Sequence, residues 1–166
     1  MPNRTKSKEA TLDAIELLAT DHKEVKTLFK QYDKLVESDG SEEDKQALAE
    51  QICQMLTVHA TIEEELFYPA AREALGEDAD LVDEADIEHE SAKELIAQIQ
   101  GSSPDDDHFD ARVKVLGEYI DHHVKEEEGE MFPKAKKGKL DTTTLGVAIS
   151  ARKEELIAAL REETAH

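Results

Sequence analysis

Two similar stretches of this chain carry the side chains whose types and spacing could bind a metal. They run from His59 to Pro69 and from His123 to Pro133, and each places a glutamate four residues after its histidine, Glu63 and Glu127. Residues four apart lie on the same face of a helix, with Cβ atoms about 5–6 Å apart. Each stretch therefore directs an imidazole and a carboxylate the same way. Two such pairs facing each other across a helical bundle would form a metal site.

Two further histidines enlarge this repeat. His22 and His89 each follow an acidic residue, Asp21 and Glu88, and each precedes the next histidine of the pattern by 34 to 37 residues. The larger repeat predicts two similar αα-hairpins, which short loops would pack as an up-down-up-down four-helix bundle. The predicted fold class is all-α: this bundle plus an extra C-terminal amphipathic helix.

Apolar residues spaced three or four apart outline five helices. The first is predicted over residues 11–36, the second begins after an N-cap at Ser41, and the third covers residues 80–100. The fourth runs from Pro104, with Ser103 as its N-cap, to Pro133, and the fifth begins after Asp141. Pro69 is expected to kink or end the second helix, because its ring removes a backbone donor. Gly76 is a natural C-cap for any helix that continues beyond this proline, and Lys134 to Lys139 are expected to form a basic linker.

The domain organisation follows from these elements. Residues 1–10 are predicted to be a flexible tail, residues 11–137 a four-helix bundle, and residues 138–166 a linker with the C-terminal helix. A length of 166 residues suits one domain with one core. The single Cys53 excludes an intramolecular disulfide framework and is expected to serve packing.

Charge and hydropathy limit the partners and the location. The chain has 40 acidic and 20 basic residues, a formal net charge of −20. This balance argues against nucleic acid and against an anionic membrane, since both require a basic face. The chain has no signal-peptide pattern and no long apolar run, which predicts a cytoplasmic protein.

The placement of the two glutamates favours a metal over a solvated surface pair. A lone histidine on an apolar stripe is usually a core or boundary residue. Glu63 and Glu127, however, lie in phase with the apolar residues of their helices, where an unpaired carboxylate costs several kcal/mol. One stripe histidine on each of four helices would share these charges with a cation. His122 and Glu126 form a competing pair about 100° off the stripe and are rejected as ligands.

The ligand types narrow the choice of metal. Imidazoles and carboxylates without thiolates suit iron, manganese or zinc. Six ligands exceed the four of a tetrahedral zinc site. They suit two ions bridged by Glu63, Glu127 and an oxo or hydroxo group, with two histidines on each ion. Iron is the preferred metal because a paired, open site can move two electrons; zinc and manganese are less favoured.

The complete motif set resembles the hemerythrin-like, or HHE cation-binding, domain family over roughly residues 12–137. The resemblance implies a non-haem di-iron centre whose metal ligands are His22, His59, His89 and His123, with Glu63 and Glu127 bridging. Oxygen-carrying members have a fifth histidine and a bridging aspartate where this chain has Lys93 and Glu127, which puts oxygen carriage in doubt. A ferritin-like site needs Glu-x-x-His twice, and only the segment ending at His89 comes near that pattern.

These inferences leave three kinds of function open. The iron pair could react with O2, H2O2 or NO and decompose peroxide as an enzyme, it could sense oxygen or nitric oxide, or it could store or buffer iron without turnover. The sequence shows no obvious general base, although Tyr119 lies one turn before His123. Whether the protein is an enzyme stays open, and no protein partner is identified. His108 and His166 are expected at the surface.

Overall fold

The computed structural model describes residues 12–164, and this part of the chain is helical with no strand. Its α-helices are α1 Ala14–Glu37, α2 Glu42–Ile62, α3 Tyr68–Leu75, α4 Asp80–Gln100, α5 Phe109–Glu126, α6 Phe132–Lys137 and α7 Thr142–Thr164. Two π-helical turns, Glu63–Phe67 and Glu127–Met131, join α2 to α3 and α5 to α6, and a 3₁₀ turn spans Gly76–Asp78. The predicted N-terminal tail and His166 lie outside the described residues. No helix over residues 12–164 is long and apolar enough to cross a membrane.

The helix starts follow local chemistry. Asp13 caps α1 by accepting the Glu16 backbone N–H at 2.9 Å, and the Glu16 side chain returns to the backbone of Asp13 in a capping box. Ser41 caps α2, as predicted, by accepting the Asp44 backbone N–H at 3.1 Å. At the other end of this hairpin arm, Gly76 follows α3 with φ of 55°, a conformation that favours glycine.

Two helical hairpins form the bundle. Helix α1 packs on α2 and α4 packs on α5, while α1 also contacts α5 and α2 contacts α4. The predicted all-α bundle is therefore confirmed. Helix α7 lies outside the bundle along α1 and α2, where Ile149 is buried and Leu145, Leu156 and Leu160 pack on the same apolar cluster.

The chain stays helical past both prolines of the repeat, so the prediction that the fourth helix stops near Pro133 is wrong, whereas the break predicted before Pro69 is present as the π turn Glu63–Phe67. Each proline lies in the first turn of a new helix, Pro69 in α3 and Pro133 in α6. The preceding π turn changes the hydrogen-bond register, so the proline occupies a position where its missing N–H costs little. Residues 134–137, predicted as linker, consequently belong to α6.

The start of α5 also differs from the prediction. The helix begins at Phe109, and neither Ser103 nor Pro104 takes part in it. Ser103 instead donates to the side chain of Asp105, and its carbonyl accepts the N–H of Asp106, which closes a turn before the helix. The side chains of this loop prefer turn hydrogen bonds to a helical first turn.

The core consists of two apolar clusters that follow one another along the bundle. The first includes Leu18, Ile62 and Phe67, and the second includes Val25, Leu56 and Ile96. Cys53 is fully buried in the second cluster, as expected for a packing residue. Between the clusters lies a layer of buried polar side chains, which contains the predicted metal ligands.

Candidate metal centre

The structure brings all six sequence-predicted ligands into this polar layer. Each of α1, α2, α4 and α5 contributes one histidine, and each π turn begins with one glutamate. Their relative exposures lie between 0% and 8%: His22 6%, His59 8%, Glu63 0%, His89 7%, His123 6% and Glu127 1%. Ligand atoms within 4.8 Å of one another form two groups: His22, His59, Glu63 and Glu127, and Glu63, His89 and His123. The carboxylates therefore stand between two histidine pairs.

Glu63 reaches both histidine pairs through one oxygen. Its Oε1 atom lies 3.1 Å from Nε2 of His59 and 3.2 Å from Nε2 of His89. The two imidazoles belong to different hairpins, so Glu63 connects the halves of the bundle. This is the arrangement that a carboxylate shared by two ions requires.

Glu127 spans the centre in the other direction with both oxygens. Its Oε1 lies 3.3 Å from Nε2 of His22, and its Oε2 lies 3.0 Å from Nε2 of His123. One oxygen therefore faces each histidine pair. The pattern matches a bridging carboxylate more closely than a single ion pair.

Several buried atoms of this layer have no hydrogen-bond partner. They are Nε2 of His22, Nε2 of His59, Oε2 of Glu63 and Oε1 of Glu127. Buried polar atoms are almost always paired, because leaving one without a partner costs free energy. A metal ion at the convergence of these atoms would satisfy them together. The charge and donor atoms of these histidines and glutamates thus fit a metal cation.

A carboxylate holds the outer nitrogen of every one of these histidines. The Nδ1 atoms lie 2.5–2.9 Å from their partners: His22 with Glu128 at 2.5 Å, His59 with Asp21 at 2.8 Å, His89 with Glu64 at 2.9 Å, and His123 with Glu88 at 2.8 Å. An imidazole that donates from Nδ1 keeps the Nε2 lone pair for a metal. Carboxylates behind metal-binding histidines fix the ring and raise its basicity. The four histidines are therefore oriented as ligands.

The pairing of these outer carboxylates with the histidines was not predicted. The sequence held a signal, since Asp21 and Glu88 directly precede the first histidine of each hairpin. Each binds the second histidine of its own hairpin rather than its neighbour. Glu64 and Glu128 directly follow the central glutamates and bind a histidine of the other hairpin. The way in which the packed helices are rotated against each other decides which histidine each carboxylate contacts.

Tyr68 is a further residue of the centre that sequence reasoning missed. Its hydroxyl donates to Oε2 of Glu127 at 2.7 Å and lies 3.0 Å from Nε2 of His89 and 3.2 Å from Nε2 of His123. Burial, together with the carboxylates of Glu63 and Glu127, raises the pKa of Tyr68 well above its ordinary value. A hydroxyl oxygen therefore stands beside the second histidine pair.

The first histidine pair has an apolar ring at the corresponding place. Phe132 occupies the position in the second stretch that Tyr68 occupies in the first, and it stacks on His22 with ring centroids 6.1 Å apart and an interplanar angle of 6°. The two halves of the centre therefore share their ligand types but differ in this neighbour.

The charged side chains of this layer shift one another's pKa values strongly. Burial opposes a charged imidazole, but Glu63 and Asp21 outweigh it and raise the pKa of His59 to about 10. Burial opposes the charge on His123 as well, yet its carboxylate neighbours raise its pKa to about 12. Glu63 is pushed upward by burial, but His59 holds its pKa well below the usual range. A metal would replace these protons, so its binding would release them.

Two lysines extend this network to the protein surface. Lys153 of α7 lies with its Nζ 2.6 Å from Oδ1 of Asp21, whose other oxygen holds His59. Lys93 lies with its Nζ 2.6 Å from Oε1 of Glu64, whose other oxygen holds His89. One histidine on each side of the centre is thus backed by a carboxylate and a lysine.

A cavity of about 130 Å³ opens onto all four histidines. Its other walls are mainly apolar and include Val25, Leu56, Ala92 and Ile96 of the second cluster. Tyr119 also lines it and is 49% exposed, so this tyrosine borders the cavity rather than the carboxylates. The space suits a small molecule of a few atoms and lies where it would meet the histidines.

The remaining histidines of the described residues lie away from the buried centre. The side chain of His122 is 67% exposed and pairs with Glu126 at 3.2 Å, as expected from its position off the stripe. The side chain of His108 is 78% exposed in the acidic loop. Neither reaches the polar layer.

Comparisons with known proteins agree with this geometry. The hemerythrin HHE cation binding domain matches residues 13–135. A DNA nickase of Nostoc sp. is 32% identical over 117 residues; the match covers 70% of this chain and 32% of that protein, so the chain spans about a third of its length. A crystal structure of a hemerythrin HHE cation binding domain-containing protein from Mycobacterium kansasii superposes with a TM-score of 0.74 over 89% of each chain, at 22% identity. This likeness shows a shared fold.

Proposed function

The chain belongs to the hemerythrin HHE cation-binding domain family, and from this premise we propose that it holds two iron ions which bind and react with a small oxidant. The candidate oxidants are O2, H2O2 and NO, and decomposition of peroxide is the reaction we favour. The observation that carries the proposal is the convergence of unpartnered histidine nitrogens and carboxylate oxygens in a buried layer.

The geometry assigns a role to each ligand. His22 and His59 would hold one ion and His89 and His123 the other, because each pair lies on its own side of the carboxylates. Glu63 and Glu127 would be shared by both ions, which keeps the pair together. The hydroxyl of Tyr68 lies near the second ion position alone. The first position would therefore have one protein donor fewer than the second.

The donor set favours iron. Imidazole and carboxylate ligands suit iron, manganese and zinc, but six such ligands exceed what one tetrahedral zinc takes. Bound iron would supply the change of oxidation state that a reaction with a small oxidant requires. The protein would supply the rest: Nδ1 contacts that orient the imidazoles, apolar cavity walls that limit access to small molecules, and a proton on Tyr68.

Sensing of oxygen or nitric oxide, and iron storage or buffering, form the alternative without turnover. The cavity on the four histidines supports exchange of small molecules in either case. Lys93 stands at the place expected for a fifth histidine, and its ammonium group is paired with Glu64. DNA cleavage, for which the Nostoc relative is named, is disfavoured for this chain by its net charge of −20.

Elemental analysis of the purified protein, with its visible spectrum before and after peroxide, tests the proposal. We expect about two irons per chain, an absorption band that peroxide changes, and evolution of oxygen gas. Peroxide binding without gas evolution would favour the alternative without turnover. A single zinc, or no iron uptake after reconstitution, would contradict the proposal.

Ligand variants give this test its controls. Glu63→Ala should reduce the iron content to near zero, because this carboxylate contacts a histidine of each pair. His108→Ala alters an exposed histidine away from the centre and should retain the metal of the parent protein. Full metal retention in the Glu63 variant would refute the assigned ligand set.

A further inference from the structure

A third group of metal-ligand side chains lies at the surface, apart from the buried centre. Nε2 of His122 is 3.2 Å from Oε1 of Glu126 and 3.7 Å from Oε2 of Glu88. Ligand atoms about 2.0–2.2 Å from one ion lie about 3.0–3.6 Å from each other, so this spacing needs little adjustment to hold an ion. His122 and Glu126 are one turn apart on α5, and Glu88 approaches from α4.

The corresponding place in the first hairpin has a cation beside the matching carboxylate. Asp21 is the counterpart of Glu88, since both precede the first histidine of a hairpin and hold the second. The outer oxygen of Asp21 binds the ammonium group of Lys153 at 2.6 Å. The outer oxygen of Glu88 faces the imidazole of His122 instead. In the second hairpin, metal ligands thus stand where the first hairpin has a cation.

The residues next to Asp21 and next to Glu88 also differ between the two hairpins. Val58 and Ile62 precede His59 and Glu63, and both are buried in the cluster on which α7 packs. The matching positions before His123 and Glu127 are His122 and Glu126. Their side chains are 67% and 39% exposed. Where the first hairpin has an apolar contact with α7, the second hairpin therefore has an exposed histidine–carboxylate pair, on a face that α7 does not cover.

A narrow cleft is lined by residues of both places. Glu88 and Glu126 of the surface group line it together with Glu84, and so do His123 and Glu127 of the buried centre. The cleft encloses only about 10 Å³, so side-chain movement must open it for an ion to pass. The cleft is lined by acidic side chains, which attract cations and repel anions.

We propose that Glu88, His122 and Glu126 form a surface site for a divalent transition-metal ion and that this site passes iron(II) to the buried centre. The passage rests on the function proposed above, whereas the surface site itself does not. Glu88 serves both places, because its Oε1 holds His123 while its Oε2 faces the surface ion. The imidazole distinguishes this site from a simple acidic patch, since nitrogen donors favour transition metals over magnesium or calcium.

The surface site is tested by calorimetric titration of the metal-loaded protein with zinc(II), which does not change its oxidation state. We expect one additional zinc equivalent in the parent protein, and binding weaker by about tenfold or more in His122→Ala and in Glu126→Gln. His108→Ala is the matched control, because it removes another exposed histidine near a carboxylate but outside the group. No additional equivalent, or equal loss in the control, would overturn the site.

The transfer role is tested by the rate at which metal-free protein takes up iron(II) without oxygen. His122→Ala should slow uptake several-fold and leave the iron content measured after gel filtration, which reports the buried centre, unchanged, since it removes no buried ligand. An unchanged uptake rate would overturn the transfer role. Absence of iron from parent and variants alike would instead refute the proposed function, and the zinc titration, run on the protein as purified with the same variants, would still decide the surface site.

Discussion

The two hairpins contribute matching ligands to one centre but differ in what surrounds those ligands. The first hairpin is covered by α7, which supplies Lys153 to Asp21 behind His59. The second hairpin is open at the matching place, where Glu88 faces the exposed His122. The difference teaches that a repeated set of candidate ligands fixes where ions would bind, whereas the surroundings of each half would decide how an ion is held and reached.

The same contrast appears inside the centre. Tyr68 places a hydroxyl beside the second histidine pair, whereas Phe132 stacks an apolar ring on His22 of the first pair. If two ions bind as proposed, an added small molecule would find fewer protein donors at the position between His22 and His59, and the other position would lie next to a proton donor. Three experiments bear on this division.

Of the three experiments, metal removal should produce the largest difference between the two hairpins. An ion whose free concentration is a thousand times its dissociation constant adds about 4 kcal/mol to the free energy of unfolding. Chelation should therefore lower the melting temperature clearly. The buried carboxylates would then lack a counter-charge other than protons. Amide hydrogen exchange should rise more in α4 and α5 than in α1 and α2, because α7 still packs on the first hairpin.

The chelator already saturated with iron, which has no free capacity, is the control for this experiment. A melting temperature that chelation leaves unchanged would show that the buried layer does not depend on metal. Equal exchange in both hairpins would show that α7 does not protect the half that it covers.

Tyr68→Phe makes the two halves alike at this position and should have an intermediate effect. It removes the donor to Glu127, and loss of such a buried hydrogen bond costs about 1–3 kcal/mol. The iron content should stay the same, because the four histidines and two glutamates remain, whereas the visible spectrum should change. Tyr119→Phe, which alters a half-exposed ring at the cavity, is the control. Identical spectra for Tyr68→Phe and the parent would show that the hydroxyl does not reach a bound metal.

The sequence allowed the six buried side chains to be predicted because helical period alone decides which face they share. Glu63 and Glu127 lie four residues after a histidine, in phase with buried leucines, and the structure places them at 0% and 1% exposure. The role of these side chains as ligands stays a prediction. The bundle followed from the same period and is confirmed.

Tyr68 could not be found by that reasoning because the helix changes its period there. Five residues along an α-helix correspond to a rotation that ends about 140° away from the starting face. The π turn instead bonds the N–H of Tyr68 to the carbonyl of Glu63, five residues earlier, and brings both side chains to the centre. The outer carboxylates, such as Asp21, depend on contacts between helices, which local periodicity does not report.

Lys153→Met tests the smallest and most specific part of the comparison. Lys153 binds Asp21, which in turn holds His59. Its loss should weaken metal binding by about tenfold, as changes behind a ligand commonly do, and should affect one of the two ions. Arg152→Met is the matched control on the same helix, because Arg152 pairs with Glu65 at the surface and an exposed pair contributes about 0–1 kcal/mol. Competition with a chelator should therefore show two release steps in Lys153→Met and the parent behaviour in Arg152→Met, and Lys153→Arg should restore most of the affinity. If both methionine variants lose metal equally, α7 acts through packing alone, and the charge that it directs at Asp21 does not distinguish the two halves.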